Sequence, residues 1–128
     1  MLRQEANVVA RKTQRMLTGY SANGNKPPVC SRVTRNRGRA HFWTREFSVP
    51  MRIIGTHPAY RLWYIVHEVC HIVPCWRSHG PLFFRAESEV MERFGWRLVR
   101  AERGPYIQEI RDLATGWPVC DQWGRPIC

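Results

Sequence analysis

Apolar positions in this chain recur with two different periods, and the switches between them mark out its elements. Over residues 3–18, Ala6, Val9, Ala10, Met16 and Leu17 approximate an apolar stripe, with Arg3, Arg11, Lys12 and Arg15 largely off it. That is the period of an amphipathic helix, and Gly19 is its expected stop. Residues 21–28 read as a loop on composition. From Val29 the pattern shortens to alternation. Val29–Thr34 suits a strand, Asn36-Arg37-Gly38 supplies turn chemistry, and residues 39–43 and 46–49 suit two further short strands. Pro50 cannot donate a ladder hydrogen bond, so the strand before it is expected at a sheet edge, or to end there. An edge strand can bind an extended peptide by taking it up as one more strand.

The helical period returns after Gly55-Thr56-His57-Pro58, where Thr56 is the expected N-cap and Pro58 is tolerated in the first turn. Leu62, Ile65, Val66, Val69, Ile72 and Val73 make the apolar face, and Pro74 should end the helix. A second helix is expected over residues 81–94. Phe83, Ala86, Val90 and Phe94 form its stripe, Glu87, Glu89 and Glu92 its polar complement, and Gly95 its stop. Residues 96–99 suit a strand and residues 106–113 fit helix or strand, while residues 115–118 and 122–126 suit turns. Structure over residues 96–128 is therefore least determined. No internal repeat is evident.

At 128 residues the chain is expected to be one α+β domain, 1–128, with its core over about 29–95, large enough to manage without disulfides. Five cysteines at irregular positions make no disulfide framework and include no Cys-x-x-Cys pair. Cys70 reads as a packing residue. No membrane partner is expected, because there is no apolar run of about 18 residues. Residues 1–6 are polar, with no signal-peptide core, so a cytoplasmic protein is expected. The formal charge is +10, from 20 basic and 10 acidic residues, and 18 of the basic ones are arginine. Such a field favours an anionic partner such as nucleic acid, although arginine-rich composition alone names none.

The chemistry lies in the central helix, which contains His67-Glu68-Val69-Cys70-His71. One helical turn separates His67 and His71 on one face, so both imidazoles can reach one metal ion. Zinc held by three protein ligands keeps a position open for water, whose pKa it lowers to about 7. Glu68 is the only group in the motif able to take a proton from that water, so its expected role is general base and then acid. One zinc per chain is expected. For the third ligand, His79 is favoured because the chain can fold back at Pro74. Glu87 and Glu89 are its rivals, although both read more simply as solvated charges on a helix face. The metzincin pattern would need Gly at position 74 and His at position 77, where Pro74 and Arg77 stand.

Four pieces, Gly38-Arg39-Ala40-His41-Phe42, Phe47-Ser48-Val49-Pro50, His67-Glu68-Val69-Cys70-His71 and His79-Gly80-Pro81-Leu82-Phe83, together resemble the SprT-like zinc metalloproteases over about residues 29–95. The last two carry most of the resemblance. It implies a zincin-like fold, a small mostly antiparallel sheet packed on an active-site helix with flanking helices. It also implies His67, His71 and His79 as zinc ligands, Glu68 as catalytic base, and protein substrates often held on DNA. Members of that family often carry a C-terminal zinc ribbon, which Cys120 and Cys128 alone cannot build.

For DNA the candidate contacts are Arg32, Arg35, Arg37 and Arg39, interleaved with His41, Phe42 and Trp43. Arginines neutralise phosphates, and an exposed aromatic can stack on an unpaired base. Tyr60, Tyr64, Tyr106 and His57 are each candidates for a hydrogen bond to a developing oxyanion. Trp63 and Trp76 read as core or cleft wall. The expectation is thus a zinc endopeptidase acting on DNA-associated protein. A basic nucleic-acid module with a purely structural zinc is the alternative. A metal-dependent hydrolase of small-molecule or cell-wall substrates is a third reading.

Overall fold

The computed structural model describes residues 1–20 and 27–127. Most of the loop expected at 21–28, and Cys128, lie outside the described residues. Over the described residues the architecture is mixed α and β, with three α-helices and two small sheets. Helix α1 spans Leu2–Met16 and is followed by a 3-10 turn at Thr18–Tyr20. It ends three residues before Gly19, because Leu17 turns into the core as the cap. Two links fix α1 in place. The Asn7 side chain accepts from the Cys30 N–H at 2.7 Å, and Glu5 pairs with Arg61 of the central helix at 2.8 Å.

Strands β1 (Val29–Thr34), β2 (Arg39–His41) and β3 (Glu46–Pro50) form the first sheet. Its order is β1-β3-β2, with β1 parallel and β2 antiparallel to β3. The strand ending at Pro50 is therefore the central one, not an edge. Its inner face is apolar, with Phe47 and Val49 fully buried. Pro50 is tolerated because it occupies the last ladder position, where one missing donor ends the pairing and interrupts nothing. The edges are β1 and, on the side of the histidines, β2. Gly38 lets the β2 edge lie against the central helix, since a Cβ there would come within 2.6 Å of the Ser48 carbonyl oxygen and 2.8 Å of the Tyr64 ring.

A 3-10 turn at Met51–Gly55 leads to helix α2, Pro58–Ile72. His57, not Thr56, is its N-cap: the imidazole Nδ1 accepts the Ala59 N–H at 3.0 Å. The Thr56 hydroxyl instead donates to the Ile53 carbonyl at 2.7 Å, closing the preceding turn. Val66, Val69, Ile72 and Val73 are buried as expected, joined by Ala59, Tyr60 and Trp63. Helix α3 spans Pro81–Arg93, and Gly95 follows it in the left-handed region (φ 97°) that L side chains disfavour.

The tail resolves into an antiparallel sheet of β4 (Trp96–Arg100), β5 (Ile107–Asp112) and β6 (Pro118–Asp121). Residues 107–112 are strand, not helix, and Pro118 opens a strand where only a turn was expected. This sheet packs on α3 through β4 and on α2 through β6. Ile107, Ile110 and Cys120 join the same buried cluster as Ala6, Ala10, Phe47 and Val66. The core thus extends well beyond residues 29–95 in both directions. Cys70 is fully buried and its thiol pKa is pushed well up by burial, which fits packing. No helix among the described residues is long and apolar enough to cross a membrane.

Candidate metal centre

Three histidines converge. One ligand nitrogen from each of His67, His71 and His79 lies within 4.8 Å of the other two. His67 and His71 meet because α2 is regular through both, with ring centroids 5.0 Å apart. His79 arrives from the reversal after Pro74, where Cys75 takes a positive φ of 60°. Gly80 then caps α3, with Pro81 in its first turn. The His67 and His79 Nε2 atoms are 3.1 Å apart. Two nitrogens on one tetrahedral zinc, each at about 2.0–2.1 Å, would lie about 3.3 Å apart.

The outer nitrogens set which lone pairs face inward. His71 Nδ1 lies 2.7 Å from the Trp76 carbonyl oxygen, which can only accept, so that nitrogen carries the proton. His67 Nδ1 lies 2.7 Å from Glu87 Oε2 and donates to it in the same way. Nε2 is then the unprotonated nitrogen of both rings, and that of His67 lies against His79, as a metal site requires. Burial, followed by neighbouring histidine charge, pushes the His71 pKa down to about 4 and lowers that of His79. Neutral imidazoles are the ligating form. Phe83 forms the floor, its ring 5.0, 4.7 and 4.9 Å from those of His67, His71 and His79. By donor type, spacing and tautomer, these residues fit zinc.

Glu87 is the largest departure from the sequence expectation. Far from solvated, it is 0% exposed. Its second oxygen accepts from Arg100 Nη1 at 2.9 Å. Burial alone would raise the Glu87 pKa, but the His67 hydrogen bond and the charges of His67 and Arg100 outweigh it and hold the pKa low. Glu87 is therefore the outer partner of His67 and is not among the three groups placed to hold a metal. Glu89 points away, pairing with Arg85 at 3.1 Å and accepting from the Tyr20 hydroxyl at 3.0 Å. The sequence reading missed Arg100 entirely. It donates to the Phe84 carbonyl and the Ser88 hydroxyl at 2.8 and 3.0 Å, and its guanidinium lies 4.5 Å over the Phe84 ring. Phe84 in turn stacks on His79. One β4 side chain thus braces the surroundings of two of the histidines.

Glu68 is buried, and that burial pushes its pKa up to about 7; the His67 charge opposes the rise and Glu87 adds to it. A carboxylate with so little hydration is a stronger proton acceptor than a solvated one. It lines two cavities. A cleft of about 310 Å³ is bordered by all three histidines, Ala40 on edge strand β2, and Phe42. A second, of about 470 Å³, is bordered by His67, Tyr60, Tyr64 and Tyr106. Among the oxyanion candidates, the Tyr64 hydroxyl accepts from the Gly38 N–H at 3.2 Å, which leaves its own proton free to donate beside Glu68. Tyr60 is mostly buried and Tyr106 is 67% exposed. His57 is excluded by distance: it caps α2 ten residues before His67, about 15 Å along the helix. Trp63 is buried beside the His67 ring, and Trp76 packs on Phe83.

Of the arginines considered for DNA, Arg32, Arg37 and Arg39 line a groove of about 660 Å³ with Ser31, Thr34 and His41. Arg35 is exposed near it in sequence but does not line it. Trp43 is 90% exposed, whereas Phe42 turns inward, its ring centroid 6.4 Å from that of His71. No protein-family model, curated protein or solved structure matches this chain.

Proposed function

We propose that this chain is a zinc-dependent endopeptidase of zincin type, as its resemblance to the SprT-like metalloproteases implies, with His67, His71 and His79 as ligands. The observation that carries the reading is the pairing of three converging imidazoles, two of them tautomer-set, with a buried, proton-accepting carboxylate on the wall of an open cleft. A zinc held there would supply Lewis acidity, lowering the pKa of water and polarising the substrate carbonyl. Glu68 takes the proton of the attacking water and returns it to the leaving amine. Tyr64 is the best placed of the tyrosines to donate a hydrogen bond to the developing oxyanion. The free edge of β2 offers unpaired main-chain groups to an extended peptide beside the histidines. A purely structural zinc is the competing reading, but closed structural sites have no use for an open position or an adjacent base.

Zinc should bind at about one ion per chain and raise the melting point. At a free concentration of about 100 Kd the stabilisation is about 2.7 kcal/mol. Cleavage of an unfolded protein should stop with a chelator and return with zinc. A folded protein that neither takes up zinc nor gains stability from it would end this proposal.

The same reading puts the substrate near nucleic acid. The groove lined by Arg32, Arg37 and Arg39, with Arg35 at its end of the sheet and Trp43 exposed in the same segment, supports contact with a single strand. Four neutralised phosphates would give log K against log salt a slope of about −3. Fluorescence anisotropy with a short oligonucleotide reads this directly, and a salt-independent curve would remove nucleic acid from the function.

A further inference from the structure

The two cavities that meet at His67 and Glu68 share a charge pattern. Arg37 and Arg52 line one, and Arg39 and Arg77 the other. Among the described residues, Glu68 alone lines either with a carboxylate. Ion pairs among the described residues engage Arg61, Arg85, Arg100, Arg111 and Arg125, and none of these four. Two of the four are held by aromatic rings. Arg52 lies 5.6 Å over Tyr64 in one cavity, and Arg77 lies 5.6 Å over Phe42 in the other. Guanidinium groups braced in this way lose little freedom when a carboxylate binds, and their planar fork matches its two oxygens. An extended chain crossing the cleft would meet cationic groups on either side of the bond beside Glu68.

We propose that the cleft selects acidic peptide segments, with Asp or Glu on both sides of the cleaved bond, and rejects segments rich in Lys and Arg. This rests on the endopeptidase reading of the same site, which supplies the bond to be cut. Like-charge juxtaposition does as much of the selecting as attraction, because a basic segment finds Glu68 as the single carboxylate among the described residues lining the cavities, against four arginines.

The test uses quenched fluorescent peptides with one common neutral centre and either acidic or basic flanks. With the zinc-loaded protein at low salt, the acidic peptide should lead in kcat/KM by about 100-fold, and about 0.5 M salt should narrow the gap to below about 10-fold. Arg52→Glu and Arg77→Glu should each cut the ratio by about 10-fold, whereas Arg11→Glu on helix α1, which lines neither cavity, should leave it unchanged. Anisotropy with labelled peptides and zinc-loaded Glu68→Gln reads the same preference without turnover. Selective binding of the acidic peptide without any cleavage by the native chain would sustain the charge selection and overturn the endopeptidase reading. Equal handling of the two peptides in both assays, or a preference for the basic one, overturns the proposal. So does loss of oligonucleotide binding in the Arg52 and Arg77 variants with the peptide ratio intact, which would assign the rim to nucleic acid.

Discussion

Glu68→Gln should bind zinc at the native stoichiometry, melt no lower than the native chain, and cleave about 100- to 10,000-fold more slowly. The large loss follows from the position of the carboxylate. Glu68 borders both cavities that reach the histidines, and among the described residues it is the only one with a side-chain carboxylate bordering either. Glutamine keeps the shape and has no basic oxygen for the water's proton. Stability should not fall, because burial already opposes the charged form and pushes its pKa up to about 7. The amide removes a charge the fold does not favour. Zinc content, a thermal melt and single-turnover cleavage separate the three effects. Undiminished turnover would take Glu68 out of the mechanism, while lost zinc would make it structural.

Glu87→Ala should do the opposite, damaging the fold first and the metal site with it. Glu87 is fully buried between His67 at 2.7 Å and Arg100 at 2.9 Å. Truncation leaves the guanidinium without its carboxylate and the His67 Nδ1–H without an acceptor. Breaking a buried pair from one side costs about 3–5 kcal/mol. Losing the outer partner of a histidine ligand typically weakens metal binding about 10- to 100-fold. Glu87→Gln retains an acceptor oxygen for His67, so its zinc affinity should fall less than its stability does. Arg100→Met tests the same chain from its far end. Combined with Glu87→Gln it should weaken zinc binding by less than the two single losses added together, since both act through one carboxylate. Fully additive losses, or native zinc affinity in Glu87→Ala, would show that Glu87 only packs.

These two glutamates show how far the primary structure could be read. Glu68 stood out because it lies between two histidines one turn apart, and the structure sets it buried on the wall of the cleft they border. Glu87 was misread, although a signal existed. It lies four residues after Phe83 and three before Val90, inside the apolar stripe and not opposite it. Its charge argued for solvent, and only its partners make burial tolerable. Arg100 had no such signal, being one arginine among 18. The backbone carbonyl of Trp76, which sets the His71 tautomer, has no sequence signature at all.

Element boundaries divide in the same way. Val29–Thr34 has the bounds that the alternation predicts, although a register shift between Cys30 and Arg32 interrupts it, and Pro58, Pro81 and Gly95 begin and end helices where their backbone restrictions require. The strand order was not readable. Alternation says which residues face inward, but not that β3 would sit between β1 and β2, nor that Pro50 would fall on a terminal ladder position. Residues 96–128 were opaque for a related reason: three short strands carry weak local signals, and their pairing and burial against α2 and α3 hold them.

By itself, then, the chain's sequence determined the helix that sets His67 and His71 on one face, because the helical repeat is a local property of four or five residues. The tertiary structure alone decided which groups complete and steady that pair. His79 meets His67 across 12 positions, Glu87 meets it across 20, and Arg100 reaches Glu87 across 13. Those distances depend on how helices and sheets pack, a balance summed over the whole core that no local pattern encodes.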